Sequence, residues 1–174
     1  MAKKLILAIG AHCGDVEITT GAVLAKERKL KSDIAILHMT LGERGHKKLH
    51  PLKYAEQKKK EALEAGKVLG AEVIFGPYAD GELPNNEEAV RFVSEVIRRL
   101  KPTHIITHWR RSIHKDHAYT HVISMDGTLL SVLEGVKSEF TPNKNFKGIY
   151  FSENWEDMDE FSPYIYYDIS DTIM

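Results

Sequence analysis

Short apolar runs alternate along this chain with longer segments in which apolar residues recur at helical spacing. The apolar runs predict strands, because a strand that is buried on both faces of a sheet reads as a nearly continuous hydrophobic run. These runs span residues 3–10, 33–40, 71–75, 103–108, 146–151 and 164–169. The segments between them predict helices over residues 16–30, 53–69, 86–100 and 116–135. Gly21, inside the first helix, is expected to allow close packing.

The alternation of strands and helices predicts the α/β class. Right-handed β-α-β units give a mostly parallel sheet with helices on both faces, which is a Rossmann-like three-layer sandwich. The length of 174 residues suits one domain spanning residues 1–174. The apolar positions of the last helix that are expected to be buried include Val122, Leu129 and Leu133.

Two loops that follow predicted strands carry residues able to bind a metal ion. Residues 11–17 follow the first strand and contain His12 and Asp15, whereas residues 113–117 follow the fourth strand and contain His117. Ligands bind at the carboxyl ends of the strands in an open parallel sheet, and zinc accepts nitrogen and oxygen ligands. The two loops can share one ion only if their strands are near neighbours. The alternative is that Asp15 merely stabilises the start of the first helix.

At these loops the sequence resembles the PIG-L/LmbE-like zinc-dependent N-acetylglucosamine deacetylases. The first signature of that family is Ala-His-Pro-Asp-Asp-x-Glu, and residues 11–17 read Ala-His-Cys-Gly-Asp-Val-Glu. The second signature is His-Pro-Asp-His, and residues 114–117 read His-Lys-Asp-His. Other family motifs match, in family order, at Thr40-Leu41-Gly42-Glu43, Lys58-x-x-Glu61, Leu69-Gly70 and Asp80-Gly81-Glu82-Leu83. The resemblance therefore covers nearly the whole chain.

The resemblance implies a role for each matching residue in the two signatures. His12, Asp15 and His117 fall on the three ligands that hold one zinc ion per chain. His114 falls on the histidine that stabilises the oxyanion, and Asp116 falls on the carboxylate that orients this histidine. Because Asp116 is so close in sequence, we expect it to raise the pKa of His114 and to keep the imidazole protonated.

The family resemblance also implies a small-molecule partner that resembles an N-acetylated amino sugar. Four residues are expected to contact this substrate: Glu43, Arg44, Lys58 and Arg110. For Arg44 and Arg110, an equally good interpretation is that they are ordinary solvated surface residues. Residues 41–52 form a long charged loop after a strand, which is typical either of a lid over the substrate or of ordinary solvated surface.

One departure from the family concerns the general base. In the family, the first Asp of the Asp-Asp pair accepts a proton from the metal-bound water; Gly14 stands at this position here, after Cys13 in place of Pro. Four interpretations remain open. In the first, the chain is a weak deacetylase in which neutral His114 or a carboxylate from elsewhere is the base. In the second, it catalyses another metal-assisted hydrolysis. In the third, it is a metal- or sugar-binding relative without catalysis, and in the fourth it is an α/β domain without metal.

Composition narrows the kinds of partner and the cellular compartment that we expect for this chain. The chain carries 24 basic and 25 acidic residues, so we expect no nucleic-acid or membrane partner. A single cysteine excludes internal disulfides and fits the reducing cytoplasm. Residues 170–172 resemble a helix N-cap, and family members continue beyond this point, so we expect a C-terminal helical portion to be missing. The family also implies a homo-oligomer, either a trimer or a hexamer.

Overall fold

The computed structural model describes residues 3–157 and 161–172. Its strands are β1 (Leu5–Gly10), β2 (Asp33–Thr40), β3 (Ala71–Tyr78), β4 (His104–His108) and β5 (Gly148–Ser152). Its helices are α1 (Asp15–Thr19), α2 (Gly21–Lys29), α3 (Pro51–Leu69), α4 (Glu87–Leu100) and α5 (Lys115–Val132). None of the helices in this described part is long and apolar enough to cross a membrane.

The described strands form one parallel sheet in the order β3-β2-β1-β4-β5. The chain moves outward from β1 to β3 and then crosses back to place β4 on the other side of β1. The carboxyl ends of β1 and β4 therefore flank the point at which the strand order reverses, where open α/β sheets bind ligands. The predicted α/β class is confirmed.

Alternate side chains of β1 enter two separate cores. Leu7 packs on one face with Val93 of α4 and Ile123 of α5. Ala8 packs on the other face with Leu24 of α2. Because successive strand residues point to opposite faces, this division places helices on both sides of the sheet and produces three layers.

The structure corrects three local predictions. The predicted helix over residues 16–30 is interrupted at Thr20. A Cβ at Gly21 would meet no described atom within 4 Å, so the prediction that this glycine allows close packing is wrong. Residues 164–169 form no strand among the described elements, although the hydroxyl of Tyr167 donates to Glu27. Val122 and Leu129 of α5, and Leu133 directly after it, have exposed side chains although they were predicted to be buried.

The exposure of these residues agrees with the close approach of α5 to α4. A Cβ at Gly127 would lie 2.9 Å from the Val93 side chain, so this position of α5 has room only for glycine, whereas Ile123 is fully buried one turn earlier. Ser124 and Ser131 are accordingly fully buried on this face. Small and hydroxylated residues at the contact turn the larger apolar residues outward.

We expect the substitution Gly76→Ala to destabilise the sheet that supports the loops. A Cβ at Gly76 in β3 would lie 2.4 Å from the Met39 carbonyl oxygen, which belongs to the backbone of β2 and cannot move aside. The free energy of unfolding, measured by urea titration, should fall by about 1–3 kcal/mol. The matched variant Gly21→Ala should be neutral or slightly stabilising, because alanine favours helix and space is available. Equal stabilities of the two variants would contradict this account.

Candidate metal centre

The loops after β1 and β4 meet because these two strands are neighbours in the sheet. Ile9 of β1 pairs with Thr107 of β4, close to the carboxyl ends of both strands. His12 lies in the turn between β1 and α1, and His117 lies in the first turn of α5; both are buried. The neighbouring strands required for a shared ion are therefore present.

Three ligand atoms form a nearly equilateral triangle at this meeting point. Asp15 Oδ2 lies 3.3 Å from His12 Nδ1 and 3.3 Å from His117 Nε2, and the two nitrogens are 3.2 Å apart. A tetrahedral zinc ion with bonds of about 2.0–2.2 Å separates its ligands by roughly 3.3–3.6 Å. His12, Asp15 and His117 therefore fit one metal ion of this size, and the prediction that these three side chains converge agrees with the geometry.

The surroundings of His12 attract positive charge. Burial on its own lowers the pKa of this imidazole, but contacts with Asp116, Asp15 and Asp80 outweigh the burial and raise the pKa to about 11. Its Nε2 lies 3.2 Å from Asp80 Oδ1 and 3.5 Å from Asp116 Oδ2. This buried nitrogen nevertheless has no aligned hydrogen-bond partner within the described residues. The cluster carries more negative charge than its own groups neutralise, which suits a bound cation.

His108, the last residue of β4, also contacts the cluster. Its Nε2 lies 3.2 Å from Asp15 Oδ2 and accepts a hydrogen bond of 3.0 Å from the Ala11 N–H. Its ring stacks on His117 with an interplanar angle of 7° and centroids 4.4 Å apart. Because an imidazole binds metal in its own plane, two parallel stacked rings cannot share an ion. His108 therefore contacts Asp15 and stacks on His117 without being a candidate ligand for the same ion.

The electrostatics of Asp15 agree with this arrangement. Burial raises the pKa of the carboxyl group, but contacts with the imidazoles of His108 and His117 outweigh burial and hold the pKa far below its usual range. The His12 N–H also donates to Asp15 Oδ2 at 2.8 Å. Asp15 is therefore an ionised carboxylate held in place by its own loop.

Asp80 is a member of the cluster to which the sequence assigned no role. It follows β3, its Oδ2 accepts from the Arg44 N–H at 2.9 Å, and its own N–H donates to Glu43 Oε1 at 2.9 Å. Next to it, the Gly81 N–H donates to Asp116 Oδ2 at 2.7 Å. The match of Asp80-Gly81 to a family motif was the signal in the sequence that could have identified Asp80 as a member of the cluster. Glu43, predicted to bind substrate, holds the backbone of Asp80 in this structure.

His114 lies at the rim of the cluster as the N-cap residue of α5. Its Nδ1 accepts a hydrogen bond of 3.3 Å from the Asp116 N–H. Burial and the charge of His12 lower its pKa, and Asp116 opposes them only weakly. The expectation that Asp116 keeps this imidazole protonated is therefore corrected. Because Nδ1 is an acceptor, the neutral ring carries its proton on Nε2, which lies 4.0 Å from Asp80 Oδ1.

Gly14 lies beside the metal-binding triangle in a backbone conformation that favours glycine, with φ +113°. A Cβ at this position would lie 3.4 Å from Lys58 Nζ. The predicted substrate-binding residue Lys58 is therefore next to the position of the missing base. Burial raises the pKa of the neighbouring Cys13 thiol to about 12, so the thiol stays protonated.

The two predicted arginine contacts lie on loops around this centre. The Arg44 guanidinium pairs with Glu82 Oε1 at 2.7 Å, and the Arg110 guanidinium lies 5.2 Å from the centroid of the Trp109 ring. Substrate binding by these arginines stays a prediction, as does a lid role for the loop after β2.

Several known proteins are similar to this chain in sequence or in structure. The chain is 23% identical over 146 residues to 4-oxalmesaconate hydratase of Pseudomonas putida, a match that covers 78% of this chain and 55% of the hydratase. A conserved protein of Thermus thermophilus has a similar structure, with a TM-score of 0.83 and 25% identity over 96% of this chain and 73% of that one. For the N,N'-diacetylchitobiose deacetylase of Pyrococcus horikoshii, the TM-score is 0.81 and the identity 21%, over 87% of this chain and 61% of the deacetylase.

The chain thus spans only about half of the curated hydratase. The sequence model of the GlcNAc-PI de-N-acetylase (PIG-L) family matches residues 7–127, which include both signature loops and most of the sheet. Because this match covers well over half of the 174 residues, the chain belongs to the PIG-L family.

Proposed function

We propose that this protein is a zinc-dependent hydrolase that removes the acetyl group from an N-acetylated amino sugar. The observation that carries the proposal is the triangle formed by His12 Nδ1, Asp15 Oδ2 and His117 Nε2, with edges of 3.2–3.3 Å. Membership of the PIG-L family and the structural likeness to a diacetylchitobiose deacetylase support the amide substrate.

His12, Asp15 and His117 would hold the zinc ion. A bound zinc ion supplies Lewis acidity and lowers the pKa of water toward about 7. The protein contributes two neutral imidazoles and one carboxylate, which leave a coordination position for water or substrate. The contacts of His12 Nε2 with Asp80 and Asp116 orient its Nδ1 toward the other two ligands.

His114 would stabilise the oxyanion as a neutral hydrogen-bond donor. Its Nδ1 is engaged by the Asp116 N–H, so its Nε2–H is directed away from the helix terminus and is available to the substrate carbonyl oxygen. A donor of this type gains strength as negative charge develops on the oxygen. The same hydrogen bond makes His114 a poor general base, because its Nε2 already carries a proton.

Asp80 is the carboxylate that we assign as proton acceptor in place of the missing side chain at Gly14. It is buried, and its Oδ1 lies 4.0 Å from His114 Nε2, so both groups face the same space. The contact with His12 lowers the pKa of Asp80 and makes it a weak base. We therefore expect slow turnover, since general-base catalysis is typically worth about 10²–10⁴-fold.

A second candidate function is the hydration of an anionic unsaturated substrate. The hydratase match covers 78% of the chain, and the Lys58 ammonium lies 3.4 Å from the position that a Cβ at residue 14 would take. A cation at this position favours a substrate carboxylate over a neutral amide. Hydration places a hydroxyl group on one alkene carbon and a proton on the other. The third candidate is a metal- or sugar-binding relative without catalysis.

An assay with three substrates separates these functions. Zinc-loaded protein is incubated with N-acetylglucosamine or N,N'-diacetylchitobiose, and primary amine release is followed; absorbance reports the loss of 4-oxalmesaconate in parallel. We expect slow amine release. Loss of 4-oxalmesaconate without amine release would instead establish the hydratase, and no reaction by zinc-loaded protein would leave the binding function.

We expect metal binding to require each residue of the triangle. His117→Ala and Asp15→Asn should each lower the zinc content after desalting from about one ion per chain to a small fraction, because two remaining ligands bind zinc weakly. Elemental analysis by mass spectrometry measures the content. His46→Ala, which alters an exposed imidazole of the loop after β2, should retain its zinc. Full zinc content in the triangle variants would refute the site.

The role of His114 predicts a loss of catalysis without a loss of metal. His114→Ala should lower kcat/KM for amide hydrolysis by about 10²–10³-fold, which is the usual effect of removing one oxyanion donor. Its zinc content should match wild type, because His114 is not one of the proposed ligands. Unchanged kcat/KM in this variant would remove His114 from the mechanism.

Gly14→Asp tests whether the missing side chain limits the reaction. We expect little gain in this variant, because an aspartate at φ +113° is strained and its carboxylate would lie beside the Lys58 ammonium. Amine release is compared in both proteins at equal zinc content. Activity that is absent in wild type and arises in the variant would support the binding-only function.

A further inference from the structure

The segment after β5 returns to the metal centre and contacts the outer side of His117. Asn154 is buried, and its Nδ2 lies 3.0 Å from His117 Nδ1. Glu156 Oε2 lies 3.4 Å from the same nitrogen. The segment is anchored to the loop after β4, because the Ile113 N–H donates to the Glu156 carbonyl oxygen at 2.9 Å. A segment that follows both signature loops in the sequence thus contributes groups to the candidate centre.

A metal-binding His117 needs a hydrogen-bond acceptor at Nδ1. If Nε2 coordinates the ion, the proton of the neutral ring is on Nδ1 and must be donated to an oxygen. The Asn154 side-chain oxygen already accepts from the Glu156 N–H at 3.2 Å, so the amide cannot turn without breaking that bond. Ser112 Oγ lies 3.2 Å from Nδ1 and accepts from the His114 N–H at 3.3 Å, so it has one further lone pair to offer but no charge.

Glu156 offers the charged acceptor at this position. Its Oε2 is buried and makes no hydrogen bond to any described residue. A buried carboxylate oxygen without a donor is costly, and a histidine N–H close to it satisfies both groups at once. In metal sites, a carboxylate partner of this kind fixes the tautomer and ring orientation of the ligating histidine.

We propose that Glu156 is a positioning residue for the metal ion. Its carboxylate accepts the Nδ1–H of His117 and so directs Nε2 toward Asp15 and His12. The inference rests on the metal-ligand role proposed above for His117, and it extends the centre to the segment after β5. Glu156 contacts neither the ion nor the substrate; it acts through His117.

Zinc affinity tests the proposal without reference to activity. Wild type, Glu156→Gln and Glu156→Ala are titrated with zinc against a competing chelator, and the Co²⁺-substituted absorption spectrum reports the ligand geometry. Loss of such a partner typically costs about 10–100-fold in metal affinity, which we expect for Glu156→Ala. Glu156→Gln keeps an oxygen acceptor without the charge, so its affinity should lie between the other two. The matched control Glu153→Ala changes an exposed carboxylate of the same segment and should leave affinity unchanged.

The possible results separate this inference from the proposed function. Wild-type affinity in either Glu156 variant, or equal losses in both, would overturn it, because neither pattern is that of a carboxylate acceptor. Glu156→Gln has the size of the native residue, so its zinc affinity tests the role of the charge even if the alanine variant does not fold. If wild type binds zinc and only the Glu156 result fails, the metal centre stands. If wild type binds none, both proposals fall.

Discussion

One carboxylate oxygen surrounded by imidazoles is the interaction on which this centre depends. Asp15 Oδ2 lies 3.2–3.3 Å from ring nitrogens of His12, His108 and His117, and it also accepts the His12 N–H. Ionised groups are buried at such density only where partners or a cation compensate for the lost hydration. The contacts from neighbouring loops therefore keep this oxygen ionised and its neighbours correctly oriented.

The parallel sheet makes this concentration possible. All described strands direct their carboxyl ends to one edge, so the loops after β1, β3 and β4 reach the same space. The bond from the Gly81 N–H to Asp116 Oδ2, 2.7 Å long, ties the loop after β3 to the start of α5. The geometry of these loops consequently depends on contacts between residues that are far apart in the sequence.

The candidate ligand triangle and Gly14 bear on different parts of function. The triangle of His12, Asp15 and His117 is compatible with metal binding whether or not catalysis occurs. Gly14 has no side chain that could accept a proton, and the Lys58 ammonium lies 3.4 Å from the position of a Cβ there. Family membership therefore supports a deacetylase-like chemistry more firmly than the identity of any one substrate.

The sequence by itself determined the α/β class and the positions of β1, β2 and β4, and it singled out His12, Asp15 and His117 as candidate ligands, since buried strands and signature motifs are local patterns. Helix burial was less predictable: Val122, Leu129 and Leu133 are exposed, and a Cβ at Gly127 would meet Val93. Only the tertiary structure decided that Asp80, His108 and Glu156 join the centre. Each lies on a different element, and their proximity depends on strand order, which residue spacing along the chain does not encode.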